Sequence, residues 1–115
     1  MKLKDLIDWL KHQDKKVVVT DGFGAPHCDR GYYEDLAFDP VEQTTFGEML
    51  KHAKAANGKT FTGWKGGDYK MHDYTTCKIG INGECGEEIT TAHCRLWLLT
   101  ANDQAKGREH SERPA

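Results

Sequence analysis

Two short segments concentrate the residue types that bind small ligands, and the first is Arg30-Gly31-Tyr32-Tyr33-Glu34-Asp35. Arginine can hold a phosphate or carboxylate through two parallel hydrogen bonds, tyrosine rings can stack on a planar base, and glycine lets backbone amides approach an anion. This composition indicates a ligand-binding segment. A structural interpretation stays open, in which Arg30 pairs with Glu34 across a strand while one tyrosine packs in the core.

The second segment, Gly63-Trp64-Lys65-Gly66-Gly67-Asp68-Tyr69, places a cation between two aromatic residues on a glycine-rich turn. If this turn faces the segment at Arg30, the two form a concave pocket with aromatic and cationic walls, a common form of small-molecule site. If it does not, the segment is an ordinary hairpin turn with a buried tryptophan.

The histidines and cysteines also have chemical capacity, but their spacing does not favour a metal site. Zinc needs a tetrahedral set of ligands, and the chain has no Cys-x-x-Cys motif. His93 and Cys94 are neighbours, so on a strand they point to opposite faces. The adjacent carboxylates of Glu87 and Glu88 diverge for the same reason and cannot share a proton. The sequence therefore predicts no metal, no cofactor and no enzyme.

The composition is that of one small domain with balanced charge. The chain has 115 residues, 37% of them hydrophobic, and its 18 acidic side chains nearly balance 16 basic ones. A protein that binds nucleic-acid phosphates usually carries a clear basic excess, so nucleic acid is disfavoured. No stretch approaches the ~20 apolar residues that span a bilayer, and residues 1–10 mix charged with apolar side chains as no signal peptide does. We expect a cytoplasmic protein with no membrane contact and with reduced cysteines.

The first part of the chain is predicted to hold a helix and two strands. Residues 3–13 carry apolar side chains at i, i+3, i+4 and i+7, which predicts an amphipathic helix. Residues 16–20 include consecutive valines, typical of a buried strand, and the glycines and proline of residues 21–26 predict a loop. Residues 31–38 alternate as a second strand, which Pro40 closes.

The clearest local pattern is a capping box, formed by Thr45 and, three residues later, Glu48. It predicts that a helix begins at Phe46 and continues to Ala56 along an apolar stripe. Asn57-Gly58 then supplies the left-handed stop that ends many helices.

The second half reads as β structure. Residues 59–64 and 69–71 predict a hairpin, and residues 77–81 predict a strand that Asn82-Gly83, through a type I′ turn, connects to a return strand over residues 89–99. Together these patterns predict a single α+β domain over residues 1–100, a small antiparallel sheet with two short helices packed on it. The polar residues 101–115 are predicted to be a disordered tail.

The two ligand-type segments and the elements around them resemble a family of small proteins that tailed phages and prophages encode. The motifs that carry the resemblance are Asp29-Arg30-Gly31-Tyr32-Tyr33-Glu34-Asp35-Leu36-Ala37-Phe38-Asp39-Pro40 and Thr60-Phe61-Thr62-Gly63-Trp64-Lys65-Gly66-Gly67-Asp68-Tyr69. The resemblance covers residues 3–71, and beyond Met71 the predicted hairpin departs from the family's pattern. It implies a phage origin and a host-cell cytoplasm.

By class and not by motif, the chain is similar to oligomeric phage proteins that counter host defence by sequestering nucleotide immune signals. Such a protein needs aromatic rings, basic side chains and no catalytic group. We therefore expect a nucleotide pocket, completed across a subunit interface of a homo-oligomer, that is formed by Arg30, Tyr32, Tyr33, Trp64, Lys65 and Arg95. The alternative is a protein-interaction module that inhibits a host factor by occlusion, with Trp97 and Leu99 or the tyrosine pair as its contact patch.

Overall fold

A computed structural model describes residues 1–29, 33–63, 65–81 and 84–112, with only the backbone described for residues 81, 84, 85 and 102–112. Within these ranges the chain forms an α+β fold, as the sequence predicts. The helices are α1 (Leu3–Lys11), α2 (Phe46–Ala56) and α3 (Thr91–Glu112). The strands are β1 (Val18–Cys28), β2 (Leu36–Thr45), β3 (Thr60–Thr62), β4 (Asp68–Lys70), β5 (Cys77–Ile81) and β6 (Glu84–Glu88).

The main sheet is mixed, with the strand order β1-β2-β5-β6. β1 with β2 and β5 with β6 are antiparallel hairpins, but β2 and β5 run parallel, with Leu36 opposite Cys77 and Phe38 opposite Ile79. The parallel pair arises because the chain leaves β2 through α2 and the separate β3–β4 hairpin before it returns as β5. A connection of this length allows parallel pairing, which a short turn cannot. The predicted sheet was purely antiparallel, and this pair is the difference.

Both helices predicted from the first half are confirmed. The four periodic apolar residues of α1 are buried, and the ammonium of Lys15 donates to the carbonyls of Leu10 and Lys11 at 3.2 and 2.8 Å, where the helix ends. The capping box holds α2: Thr45 Oγ1 accepts a hydrogen bond from the backbone N–H of Glu48 at 3.1 Å. The buried face of α2 consists of Phe46, Met49, Leu50, Ala53 and Ala56.

The predicted return strand over residues 89–99 is wrong, because α3 begins at Thr91. Thr90 caps this helix: its hydroxyl accepts from the N–H of Ala92 at 3.3 Å, and its own N–H donates to His93 Nδ1 at 3.0 Å. His93 thus occupies the position that glutamate or glutamine takes in a capping box. The buried residues Cys94, Trp97 and Ala101 follow at helical spacing. The strand that returns from β5 is β6, and the predicted turn at Asn82-Gly83 lies outside the described residues.

The segment over residues 21–26, which was predicted as a loop, belongs to β1. Its register against β2 shifts between Phe23 and Pro26, which is where a strand accepts glycine and proline. Gly22 is needed for close packing, since a Cβ atom there would lie 2.5 Å from Thr44 Cγ2. Pro40 likewise lies inside β2 and does not end it, because β5 pairs with β2 only as far as Phe38 and leaves the next residues at a sheet edge.

The core lies between the sheet and the helices, and aromatic rings form its centre. Trp97 of α3 is 1% exposed, with ring centroids 5.7 Å from Phe23 and 6.0 Å from Trp9. Its indole N–H donates to the carbonyl of Asp21 at 2.9 Å, and Asp21 has a left-handed backbone with φ 55°. Burial of this kind contributes about 1.5–3 kcal/mol for each large apolar side chain.

The end of the chain leaves two predictions open. α3 continues to Glu112, and the division into a domain over residues 1–100 and a disordered tail over 101–115 stays a prediction. Among the described helices, none has the length and apolar character needed to cross a membrane.

Candidate ligand-binding site

The two ligand-type segments meet through a pair of tyrosines. The ring of Tyr33, which follows β1, lies 5.6 Å from the ring of Tyr69 on β4, with the ring planes at 60°. Tyr69 is opposite Phe61 in the β3–β4 hairpin, and both rings pack against the core from the inner face of that hairpin. Tilted aromatic pairs at this distance stabilise each other beyond their burial. The hairpin therefore faces the Tyr33 segment, as a shared pocket requires.

Gly63 is what allows the two rings to come together. A Cβ atom at this position would lie 3.0 Å from Tyr69 Cε2 and 3.1 Å from Tyr33 Cδ2. The turn that follows is closed by hydrogen bonds from Gly66 N–H to the Gly63 carbonyl and from Gly63 N–H to the Gly67 carbonyl, at 3.0 and 2.9 Å. Lys65 is exposed in this turn, two residues after Gly63.

A cluster of three charged residues, the Lys78 cluster, lies at the two ends of the segment that carries Tyr33 and consists of Asp29, Asp35 and Lys78. Lys78 Nζ of β5 is 3.4 Å from Asp29 Oδ2 and 3.0 Å from Asp35 Oδ2. Asp29 is only 1% exposed, and its other carboxylate oxygen accepts from the N–H of Gly86 on β6 at 2.9 Å. The backbone N–H of Asp29 also donates to the carbonyl of Asp35 at 3.0 Å.

The carboxylates of the Lys78 cluster hold the lysine in its charged form. Burial acts to lower the pKa of Lys78, but the hydrogen bond to Asp35 and the attraction of both carboxylates outweigh it, and the pKa is raised. Since this ammonium is matched by two carboxylates, its charge is not available to an anionic ligand. Lys65, in contrast, has no ion pair within the described part of the site, so it can pair with an anion.

The predicted site residues separate into three groups. Tyr33 and Lys65 belong to the same region, through the contact of Tyr33 with the hairpin that carries Lys65. Arg95 lies exposed on α3, which packs against β1, and no interaction among the described residues joins it to Tyr33 or Lys65. The remaining three predicted residues lie outside the described residues: Arg30, Tyr32 and Trp64.

Sequence reasoning missed three residues that bond to each other at the ends of the Tyr33 segment: Asp29, Lys78 and Gly86. Asp29 and Lys78 are 49 positions apart, and Asp29 and Gly86 are 57 apart. No local pattern links positions at such distances. A glycine inside a strand marks a bulge or a close approach of another group, but Gly86 lay between the predicted strands 77–81 and 89–99, so this sign was not available. Gly86 shows such an approach: a Cβ atom there would lie 3.0 Å from Asp29 Oδ1.

Groups with catalytic or metal-binding capacity are dispersed. Within the described ranges no three histidine, cysteine, aspartate or glutamate side chains come together as a metal would require. His27 Nε2 lies 3.0 Å from Asp39 Oδ1, and its Nδ1 lies 2.9 Å from the carbonyl of Cys28, in a pair that is largely exposed. Burial raises the pKa of the Cys28 thiol, and it raises the pKa of Cys77 to about 12, so neither is a ready thiolate nucleophile.

A groove of about 550 Å³ lies at the opposite end of the β1–β2 hairpin from Tyr33 and contains none of the predicted site residues. It is lined by Thr20, Asp21, Val41, Glu42 and Gln43. Its two carboxylates make it unsuited to an anion.

No family model, no curated protein sequence and no solved structure matches this chain. The contact of Tyr33 with Tyr69, on the hairpin whose turn carries Lys65, is thus the feature on which a functional proposal rests.

Proposed function

We propose that this chain binds a small anionic ligand with a planar ring, of the nucleotide class, and sequesters it without chemical conversion. The contact between Tyr33 and Tyr69 carries this proposal, because it joins two segments of ligand-binding composition. Tyrosine rings stack on nucleobases, and an exposed ammonium such as Lys65 forms charge-assisted hydrogen bonds with phosphate. Arg30, Tyr32 and Trp64 are included on sequence grounds.

The biological setting of this proposal follows from the resemblance to phage and prophage proteins. In that setting the ligand is a nucleotide immune signal, and the protein removes it from solution in the host-cell cytoplasm as an anti-defence sponge. Arg95 is exposed on α3, and in this proposal it enters the site of a neighbouring copy, so the functional form is a homo-oligomer.

Native mass spectrometry and calorimetry with cyclic dinucleotides, cyclic oligonucleotides and ADP-ribose derivatives test the proposal. We expect the parent protein to gain a discrete nucleotide mass, and Lys65→Ala to weaken binding about tenfold or more, since a charge-assisted hydrogen bond contributes about 1.5–3 kcal/mol. Lys51→Ala on α2 and Tyr74→Ala are matched controls, because both residues are exposed and lie in other segments. A parent protein that binds no nucleotide, or a Lys65→Ala protein that binds as tightly as the parent, would contradict the proposal.

A second candidate function, occlusion of a host protein, is favoured by the outer face of α3. Leu96 and Leu99 are 60% and 62% exposed and lie one helical turn apart, so they form a small apolar patch. Trp97, which was predicted to belong to such a patch, is buried and cannot take part. In this case nucleotides would not raise the melting temperature. A host protein would cross-link to the parent in cells but not to a Leu96→Ser/Leu99→Ser variant.

A further inference from the structure

The Lys78 cluster closes the two ends of the segment that carries Tyr33. Asp29 directly follows β1 and Asp35 directly precedes β2, so together they bracket residues 30–34. Lys78 Nζ bonds to both carboxylates, and a backbone hydrogen bond joins Asp29 to Asp35. A single side chain from β5 therefore holds both ends of the segment.

The side chains that hold the two ends of the segment together are largely buried. Asp29 is 1% exposed, and the side chains of Lys78 and Asp35 are 18% and 17% exposed. A buried carboxylate without its partner is strongly unfavourable, so the ends of the segment separate only if Asp29 moves out to water. The N–H of Gly86 is a second attachment, which ties Asp29 to β6.

The same segment touches the β3–β4 hairpin through Tyr33. Three hairpins thus converge on it: β1–β2 contains it, β5–β6 holds its ends through Lys78 and Gly86, and β3–β4 receives its ring through Tyr69. Because the charge of Lys78 is matched by two carboxylates, Lys78 does not bind an anion directly. Its role is to shape the junction at which the three hairpins meet.

We infer that Lys78 is the positioning residue of the ligand-binding site: by holding Asp29 and Asp35 it presets Tyr33 against Tyr69 before any ligand arrives. The consequence for affinity rests on the proposed function, whereas the effect on the segment does not. When the competent arrangement is only partly populated, the apparent dissociation constant rises by the inverse of that fraction.

The test compares the parent with Lys78→Met, which keeps the length of the side chain but removes the charge, and with Lys78→Arg, which can bridge two carboxylates. NMR reports the ring contact between Tyr33 and Tyr69 and the hydrogen exchange of the Asp29 and Gly86 amides. In Lys78→Met we expect exchange at these amides to quicken about tenfold or more and the ring contact to be lost, while amides of α2 keep their protection. Lys78→Arg should restore both.

If Lys78→Met does not fold, Asp35→Asn replaces it, because this change leaves the bond between Lys78 and Asp29 in place. Here the ring contact should weaken while the Gly86 amide stays protected. Persistence of the ring contact together with parent-like exchange in Lys78→Met would overturn the inference. Where Asp35→Asn is used, a ring contact as strong as in the parent would overturn it.

Binding of a cyclic dinucleotide and of ADP-ribose, measured by calorimetry on the same proteins, separates the two proposals. A parent that binds neither probe counts against the proposed function, and the NMR comparison still decides the role of Lys78. If the parent binds a probe, Lys78→Met should bind it about tenfold more weakly and Lys78→Arg nearly as well. Equal binding by a Lys78→Met protein whose ring contact is lost would overturn the positioning role and leave the proposed function standing.

Discussion

The region around Trp97 and the region around Lys78 are held together by different interactions. Around Trp97, rings from α1, α3 and the sheet pack at 5.7 to 6.0 Å, and the indole N–H donates to a backbone carbonyl. Around Lys78, three charged side chains and one backbone N–H join the β1–β2 and β5–β6 hairpins over distances of 2.9 to 3.4 Å. The first region is apolar and the second is ionic.

This difference separates the stability of the fold from the shape of the candidate site. Apolar burial is non-directional and scales with area, so it stabilises the whole domain. Ion pairs and hydrogen bonds are directional, and a buried ion pair adds little net free energy because desolvation opposes it. We therefore expect damage near Trp97 to unfold the protein and damage near Lys78 to change local order first. The following predictions are ordered from the largest effect to the smallest.

Truncation of the central ring should have the largest effect. Trp97→Ala leaves a cavity beside Phe23 and Trp9 and an unpaired carbonyl at Asp21, so the free energy of unfolding should fall by about 3–5 kcal/mol. Urea denaturation followed by circular dichroism measures it. Leu96→Ala is the matched control on the same helix, because Leu96 is 60% exposed and should change stability by less than about 0.5 kcal/mol. Similar losses in both variants would mean that α3 is not anchored by Trp97.

Alkaline pH should act at the boundary of the two regions, where Cys77 is buried beside Lys78 in the sequence of β5. Burial raises the pKa of Cys77 from 9.0 to about 12. The stability is therefore fully present below pH 9 and is lost as the pH rises towards 12, because the unfolded thiol ionises first. We expect unfolding titrations to show a loss of about 2–3 kcal/mol by pH 11.

Variants separate the contributions of Cys77 and Lys78 to the loss of stability at alkaline pH. Cys77→Ala should be less stable at neutral pH but should have a flatter alkaline profile. The raised pKa of Lys78 acts in the same direction, since its ion pairs are present below its pKa and are lost above it. Lys78→Arg should therefore remove only a smaller part of the decline. Parallel profiles for parent and Cys77→Ala would refute the assignment to the thiol.

An added methyl group at Gly63 should disturb the contact between Tyr33 and Tyr69 and tests how sensitive the candidate site is to local packing. In Gly63→Ala the new Cβ would crowd Tyr69 and Tyr33, and we expect a loss of about 1–2 kcal/mol together with displacement of the Tyr33 ring. Denaturation and the NMR contact between the two rings measure both effects. Gly80→Ala is the control, because its nearest neighbours lie at 3.6 Å, an ordinary contact distance. An unchanged ring contact in Gly63→Ala would show that the pair tolerates movement.

The smallest effect is expected at a helix cap that belongs to neither region. Thr45→Ala removes the acceptor of the Glu48 N–H and should cost about 1 kcal/mol. Thr45→Ser keeps the hydroxyl and should recover most of it. A loss larger than that of Gly63→Ala would mean that Thr45 has a further role, for instance in its strand pairing with Val18.

The parts of the fold that the sequence predicted are those with local causes. The periodicity of Leu3, Leu6, Ile7 and Leu10 defines α1, and the Thr45 and Glu48 pair defines the start of α2. In residues 89–99 an alternation of apolar residues suggested a strand, although the segment from Ala92 to Leu99 has no β-branched residue and favours a helix. The cap formed by Thr90 and His93 would have been the better guide.

The candidate site could be predicted only in part, because some of its contacts have local causes in the sequence and others depend on the order of strands in the sheet. Tyr33 and Lys65 were found because ligand-type residues cluster in the sequence, and their proximity was a conditional prediction. Asp29, Lys78 and Gly86 come together only through the order of strands in the sheet, and no sequence pattern specified that β2 and β5 would be neighbours. Interactions that depend on topology cannot be read from spacing along the chain.

The two outer strands of the main sheet differ in how they are shielded from other chains. At β1, the backbone N–H of Thr20 donates to the hydroxyl of Thr100, so α3 covers part of that margin. At β6, the strand is short and rich in glutamate, and its Gly86 N–H is already donated to Asp29. Short, charged or covered margins discourage the addition of a foreign strand and thus amyloid-like growth. A chain with this sheet is expected to associate through side-chain surfaces rather than by continuing its β ladder.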